Sequence, residues 1–218
     1  MDLTIVQKIS IWVIPILFAI TLHEVAHGWV ASLFGDQTAR LSGRLSLNPL
    51  KHVDPIGTVI LPILMLLFSN IIFGWAKPVP VDPRNLHHRR RDMIFVALAG
   101  PLSNFLMAVI WGLMERIGLS LEQSGNVWLG TPLAYMGEAG ITINVVLAVL
   151  NLIPLPPLDG AKVLSSLLPR RAAYYYDQLE PYGFIILVLL ILTGLLSNIM
   201  VPLVYFFIYI IEKLFFLM

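Results

Sequence analysis

Apolar runs long enough to cross a bilayer recur five times in this sequence, and no other feature constrains its fold as strongly. Residues 55–76, 93–114, 139–158 and 182–211 carry no formal charge, and residues 9–34 carry a single carboxylate, Glu24. A spanning helix needs roughly 20 consecutive apolar residues. Hydrophobic residues make up 58% of the chain and charged residues 12%, against about 25% charged in ordinary soluble domains. A core of this size cannot absorb that surplus, so a soluble protein is excluded and a polytopic membrane protein is expected. The formal net charge is +1, which provides no basic field for nucleic acid. Cysteine is absent, which excludes disulfides, thiolate metal sites and thiol nucleophiles. No cleavable signal peptide is expected, because the first apolar stretch carries His23, Glu24 and His27 where a signal peptide is plainly apolar.

Short polar segments separate the apolar ones. Residues 36–54 carry Arg40, Arg44 and Lys51; residues 77–92 carry Lys77, Arg84, Arg89, Arg90 and Arg91; residues 169–181 carry Arg170 and Arg171. Short basic loops stay cytoplasmic, so these three are expected inside. The loop 116–138, with Arg116 against Glu122 and Glu138, is expected outside. Residues 55–76 then have basic flanks on both sides, which a single crossing would separate. Gly57, Pro62 and Gly74 interrupt the stretch, and the following "IIFGWAKPVPV" is extended in character. The expectation is a re-entrant element, a short helix going in and a β-like segment coming back, tolerable at membrane depth only if buried or lining a wet cavity. The alternative is an ordinary span that violates the charge rule. The last stretch, interrupted at Ser197-Asn198 and Pro202, reads as two short spans or as one kinked span with an interfacial piece. The expected fold is an all-α polytopic membrane protein with five to six hydrophobic segments, a re-entrant helix and a short β-like segment, in a single domain covering residues 1–218.

The first apolar stretch contains the chemistry. His23 and His27 stand at i, i+4, so both imidazoles project from one helix face, with Glu24 beside the first. Two neutral imidazoles bind zinc, and an adjacent carboxylate can take a proton from a water activated by the metal. The alternative is a structural trio satisfied by neighbouring helices. Ionisable groups inside a membrane span are costly and usually functional, and three lie within five residues here. Zinc needs a third protein ligand. His52, His87 and His88 sit in basic loops, and His87-His88 beside three arginines reads as an interfacial cluster. Asp159 in "NLIPLPPLDG" is the best-placed anion, after prolines that break the helix and before Gly160, which permits a sharp turn. A lone Asp before Gly can also be only a turn or cap. With a re-entrant second element, Asp159 arrives at the same face as the histidines; with a full crossing there, it ends near the opposite face.

Together "HEVAHG", "AGPLSN" and "NLIPLPPLDG" resemble the site-2 protease family of intramembrane zinc metalloproteases, and "GRLSLNPLKHVDPIGTVILP" with "FGWAKPVPV" resembles its compact bacterial and archaeal members. The resemblance runs from about residue 9 to 170. It implies that His23, His27 and Asp159 hold Zn2+, that Glu24 is the catalytic base, and that transmembrane or membrane-associated proteins are cleaved within or near the bilayer. It also implies a multi-pass protein of a bacterial or archaeal cell membrane, and the basic loops put the expected active site toward the cytoplasm. The PDZ and CBS domains of some members have no counterpart in this sequence. Around the site, Asn151 is a candidate for binding an unwound substrate backbone, and Asn144, one face along at i, i+7, reads as inter-helix glue. Gly100, Pro101 and Asn104 read as close packing and a polar tie. Gly74 and Trp75 are candidates for offering a strand edge to an extended substrate. Two other functions use the same residues: a metal transporter with the His/Glu/Asp cluster as a transit site, and a non-catalytic relative that binds membrane helices.

Overall fold

A computed structural model describes residues 4–60 and 77–217. Among the described residues eight α-helices follow one another: α1 (Ile5–Leu33), α2 (Thr38–Leu41), α3 (Arg89–Gln123), α4 (Val127–Asn151), α5 (Asp159–Leu167), α6 (Arg170–Asp177), α7 (Glu180–Leu192) and α8 (Leu195–Phe215). Short helical turns at Pro49–Lys51, Pro55–Ile60 and Pro83–Asn85 punctuate the link from α2 to α3. A capping box starts α1: Gln7 N–H donates to Thr4 Oγ1 (3.3 Å) and Thr4 N–H donates to Gln7 Oε1 (2.9 Å).

Among the described residues four helical segments are long and apolar enough to cross a membrane: Ile9–Leu33 within α1, and α3, α4 and α8. The pair α6 and α7, bent by 64°, is a candidate fifth. Their surfaces are inverted relative to a soluble protein. Trp12, Phe18 and Trp29 on α1, and Leu102 and Leu106 on α3, are exposed, whereas His23, His27, Asn104, Asn144 and Asp159 are buried. A lipid solvent produces this pattern, because polar groups must find partners inside the bundle.

Helices α3 and α4 form a tight antiparallel hairpin. A Cβ on Gly118 would lie 2.4 Å from the Ala134 nitrogen, and one on Gly140 would lie 2.2 Å from the Trp111 ring. Small residues let membrane helices approach this closely and gain van der Waals contact. Ala108 and Trp111 of α3, Ile141, Val145 and Val149 of α4, and Ile211 of α8 form one buried cluster. Helix α1 packs against both α3 and α4, so its histidine face is enclosed by them.

Three expectations are corrected. The loop at 116–138 is almost entirely helical: α3 runs on to Gln123, α4 starts at Val127, and only residues 124–126 turn, with Gly125 at φ +92°. Scattered charges suggested a loop, but the glycines that let α4 press on α3 keep the segment packed. In the last stretch the chain breaks at Gly194 (φ +73°), whereas Ser197, Asn198 and Pro202 lie inside α8. Only a left-handed residue is needed to end α7, and a proline is tolerated within a membrane helix. Finally, no strand occurs among the described residues. In the β-like segment, residues 71–76, including Gly74 and Trp75, lie outside them. Residues 77–81 form an irregular strap bonded to loop residues and to Glu24 of α1 rather than to another strand.

That strap is held to the segments near the end of α1. Lys77 N–H donates to the His52 carbonyl (2.9 Å), Arg44 donates to the Lys77 carbonyl (2.7 Å), and Asp82 N–H donates to Asp36 Oδ2 (2.7 Å). His87 N–H then donates to the Phe34 carbonyl (2.9 Å). Residues 36–54 and 77–88 therefore meet at the same end of the bundle, where α1 ends and α3 begins.

Candidate metal centre

Helix α1 projects His23 and His27 one turn apart, with their Nε2 atoms 3.1 Å from each other. Asp159, in the first turn of α5, brings Oδ2 to 3.2 Å from His23 Nε2 and 3.1 Å from His27 Nε2. All three side chains are buried, and each contributes one ligand-type atom to a compact group suited to a metal ion. The protons around these atoms follow from their partners. His23 Nδ1 lies 2.6 Å from Asn104 Oδ1, and His27 Nδ1 lies 2.7 Å from the Val96 carbonyl. The Asn104 amide nitrogen donates to the Ala19 carbonyl (3.1 Å) and to Asn144 Oδ1 (2.9 Å), which fixes Oδ1 toward the histidine. Carbonyl oxygens only accept, so each Nδ1 carries a hydrogen and each neutral ring turns its Nε2 lone pair inward. The buried Asp159 Oδ2 has no hydrogen-bond partner.

Three acceptors thus converge with no donor between them. A single shared proton would join one histidine to Asp159 and leave the other ring nitrogen without a partner. A divalent cation satisfies all three atoms at once, so the residues fit zinc. The surrounding backbone is shaped to this purpose. A Cβ on Gly100 of α3 would lie 2.4 Å from His27 Nε2 and 2.6 Å from His23 Cε1. Gly160 serves close approach rather than the expected sharp turn: it is helical, and a Cβ there would lie 2.3 Å from the Leu152 carbonyl oxygen. Residues 152–158, with Pro154, Pro156 and Pro157, carry the chain from α4 back to the histidines. Lys162 Nζ donates to Asp159 Oδ1 (3.1 Å), leaving Oδ2 for the centre.

Glu24 is half-buried beside His23, and its Oε2 accepts the Val79 N–H at 2.7 Å. Val79 stands between Pro78 and Pro80, so this is the one backbone donor in that part of the strap. The Val79 side chain is buried over Gly28, whose added Cβ would lie 2.8 Å from Val79 Cγ1. The structure brings His23, His27 and Asp159 together and adds Asn104, Asn144 and the Val96 carbonyl behind them. Asn151 is half-buried, and its amide donates to Leu147 of its own helix (3.0 Å). Gly74 and Trp75 lie outside the described residues. His52 is buried, its Nε2 2.8 Å from the Ser46 carbonyl, whereas His87 and His88 are exposed. The Val79 contact escaped sequence reasoning, although an isolated N–H between two prolines was its signal.

Two imidazoles and a carboxylate, with a glutamate next to the first histidine, make the donor set of a zinc metalloprotease. Comparison with known proteins gives the same class. Residues 11–194 match the sequence profile of peptidase family M50, and the chain belongs to that family. It is 39% identical over 194 residues to YwhC of Bacillus subtilis, covering 87% of this chain and 84% of the relative. It is 30% identical over 191 residues to Rip2 of Mycolicibacterium smegmatis, covering 88% of this chain and 70% of that one. Both are named provisionally as zinc metalloproteases. A further match is the zinc metalloprotease MJ0392 of Methanocaldococcus jannaschii, 24% identical over 213 residues, of which the chain spans half the length. No solved structure matches at comparable stringency. The chain is thus a zinc metalloprotease, and the transport and non-catalytic readings give way to this assignment.

Proposed function

We propose that the chain is an intramembrane endopeptidase, one membrane-embedded domain that hydrolyses peptide bonds of transmembrane or membrane-associated proteins. His23, His27 and Asp159 hold the zinc, and Glu24 is the general base. The convergence of three buried acceptors at depth in the bundle carries this reading. At 1.5 Å per residue, His23 lies about 15 Å and His27 about 9 Å along α1 from the Leu33 end of the span, within a hydrocarbon core roughly 30 Å thick.

Zinc in such a centre polarises a peptide carbonyl and acidifies a water. Glu24, fixed by the Val79 N–H, accepts the water proton and returns it to the leaving amine. The Asn104 and Val96 oxygens hold both rings in the tautomer that leaves Nε2 free for metal. A helical substrate hides its carbonyls in hydrogen bonds, so it unwinds locally before attack. Asn151, at the end of α4, is the candidate to bond an unwound backbone; Gly74 and Trp75 lie outside the described residues. The flanks of residues 55–76 are joined by the His52–Lys77 and Arg44–Lys77 bonds, which supports both flanks lying on one side of the membrane. Residues 61–76, on which the re-entrant expectation falls, lie outside the described residues. The basic character of those flanks supports a site toward the cytoplasm.

The test uses purified protein reconstituted with a membrane-inserted helical polypeptide, its products read by mass spectrometry. Glu24→Gln is expected to lower the cleavage rate by about 10² to 10⁴ while zinc content is kept. Cleavage at the unaltered rate would remove Glu24 from the chemistry.

A further inference from the structure

We propose that the open cavity between α3, α5 and α6 binds the phosphate headgroup of an anionic phospholipid. The cavity encloses about 710 Å³, and Arg89, Arg90, Lys162 and Arg170 all line it. Two carboxylates, Asp177 and Glu180, also line it, leaving cations in excess. The cations divide into two groups by what they already hold. Arg90 donates to the Ser165 carbonyl (3.3 Å) and to the Leu168 carbonyl, and Lys162 donates to Asp159. The side chains of Arg89 and Arg170 make no hydrogen bond or ion pair among the described residues. Two exposed guanidinium groups with no hydrogen bond or close ion pair among the described residues, bordering one cavity, are suited to the planar, bidentate recognition of a phosphate group.

Location selects a lipid as the source of that phosphate. Arg89 is the first residue of α3, a candidate span, so the cavity opens where a bilayer's headgroups begin. Tyr174 is exposed at its wall and Tyr176 donates its hydroxyl to the Pro154 carbonyl (2.9 Å); tyrosines concentrate at this depth. Met93, Pro156, Leu158 and Ala161 give the cavity an apolar side able to take the first part of an acyl chain. Basic pockets between membrane helices recognise anionic headgroups in this way. The proposal rests on the membrane character of the chain and not on the assigned catalytic residues.

The experiment is a titration of the full-length, delipidated protein in detergent, followed by native mass spectrometry. The probes are a short-chain phosphatidylglycerol, the matching phosphatidylcholine, and inorganic phosphate. One phosphatidylglycerol should bind at least tenfold more tightly than phosphatidylcholine. The Arg89→Gln/Arg170→Gln protein should lose that preference, with its zinc content and circular dichroism unchanged. The Arg89→Lys/Arg170→Lys protein should keep part of it, and Arg116→Gln, at the other end of α3, should keep all of it. Equal binding of the two lipids, or full preference in the glutamine variant, would overturn the proposal. Inorganic phosphate displacing phosphatidylglycerol at equal concentration would overturn the lipid as the source.

Discussion

Asn104 commits its whole side chain to the candidate metal centre. Its oxygen faces His23 Nδ1, and its nitrogen ties the Ala19 carbonyl of α1 to Asn144 of α4. Removing it leaves a buried N–H unpaired and the His23 ring free to turn. Asn104→Ala should weaken zinc binding by about 10- to 100-fold and lower stability by about 1–3 kcal/mol. Competition with a chromophoric chelator reads the first effect, and an unchanged affinity would show that His23 is oriented by packing alone. At this scale much was legible beforehand. The i, i+4 histidines had to share a face, Asp159 followed a proline-broken helix end, and a lone asparagine in an apolar span had to find a partner. The Val96 carbonyl was not legible, because a backbone acceptor has no residue-type signature.

Among the elements, the strap at 77–82 has the most to do with Glu24. Val79→Pro removes the N–H that fixes the Glu24 carboxylate and should lower turnover roughly tenfold or more, the cost of a hydrogen bond to a charged group, with zinc retained. Val79→Ala keeps that N–H and should keep most of the activity. Equal activity in the two variants would show that the bond does not matter. The far end of the strap is anchored on Asp36. Burial works against the Asp36 carboxylate, but hydrogen bonds from Thr38, Asn85 and the Asp82 and Thr38 amides outweigh it and hold its pKa below the usual value. A lowered folded pKa means that this stabilisation is complete above the unfolded pKa and is lost as pH falls through the folded one. The thermal midpoint should therefore fall below the ordinary carboxylate range, and Asp36→Asn should flatten that part of the profile. Helix existence was readable from hydropathy, but helix ends were not. Glycine packing between α3 and α4 and the left-handed turn at Gly194 decided them, and both depend on neighbours distant in sequence.

For the whole molecule, the bonds joining residues 36–54 to 77–88 carry a topological consequence. Both segments must face the same side of the membrane. The chain has no cysteine, so Leu47→Cys and Arg84→Cys provide clean labelling sites, both exposed. An impermeant thiol reagent should reach both from the cytoplasmic side only, and labelling from opposite sides would show that residues 55–76 cross fully. The same architecture brings three sequence-distant elements, α1, α3 and α5, around one buried group of acceptors, and the proposed chemistry depends on a metal being there. Zinc analysis of the purified protein and of Asp159→Ala is the most direct test. The unaltered protein should hold one zinc per chain, and Asp159→Ala less than a tenth of that. Full zinc occupancy in Asp159→Ala would contradict the His23, His27 and Asp159 centre.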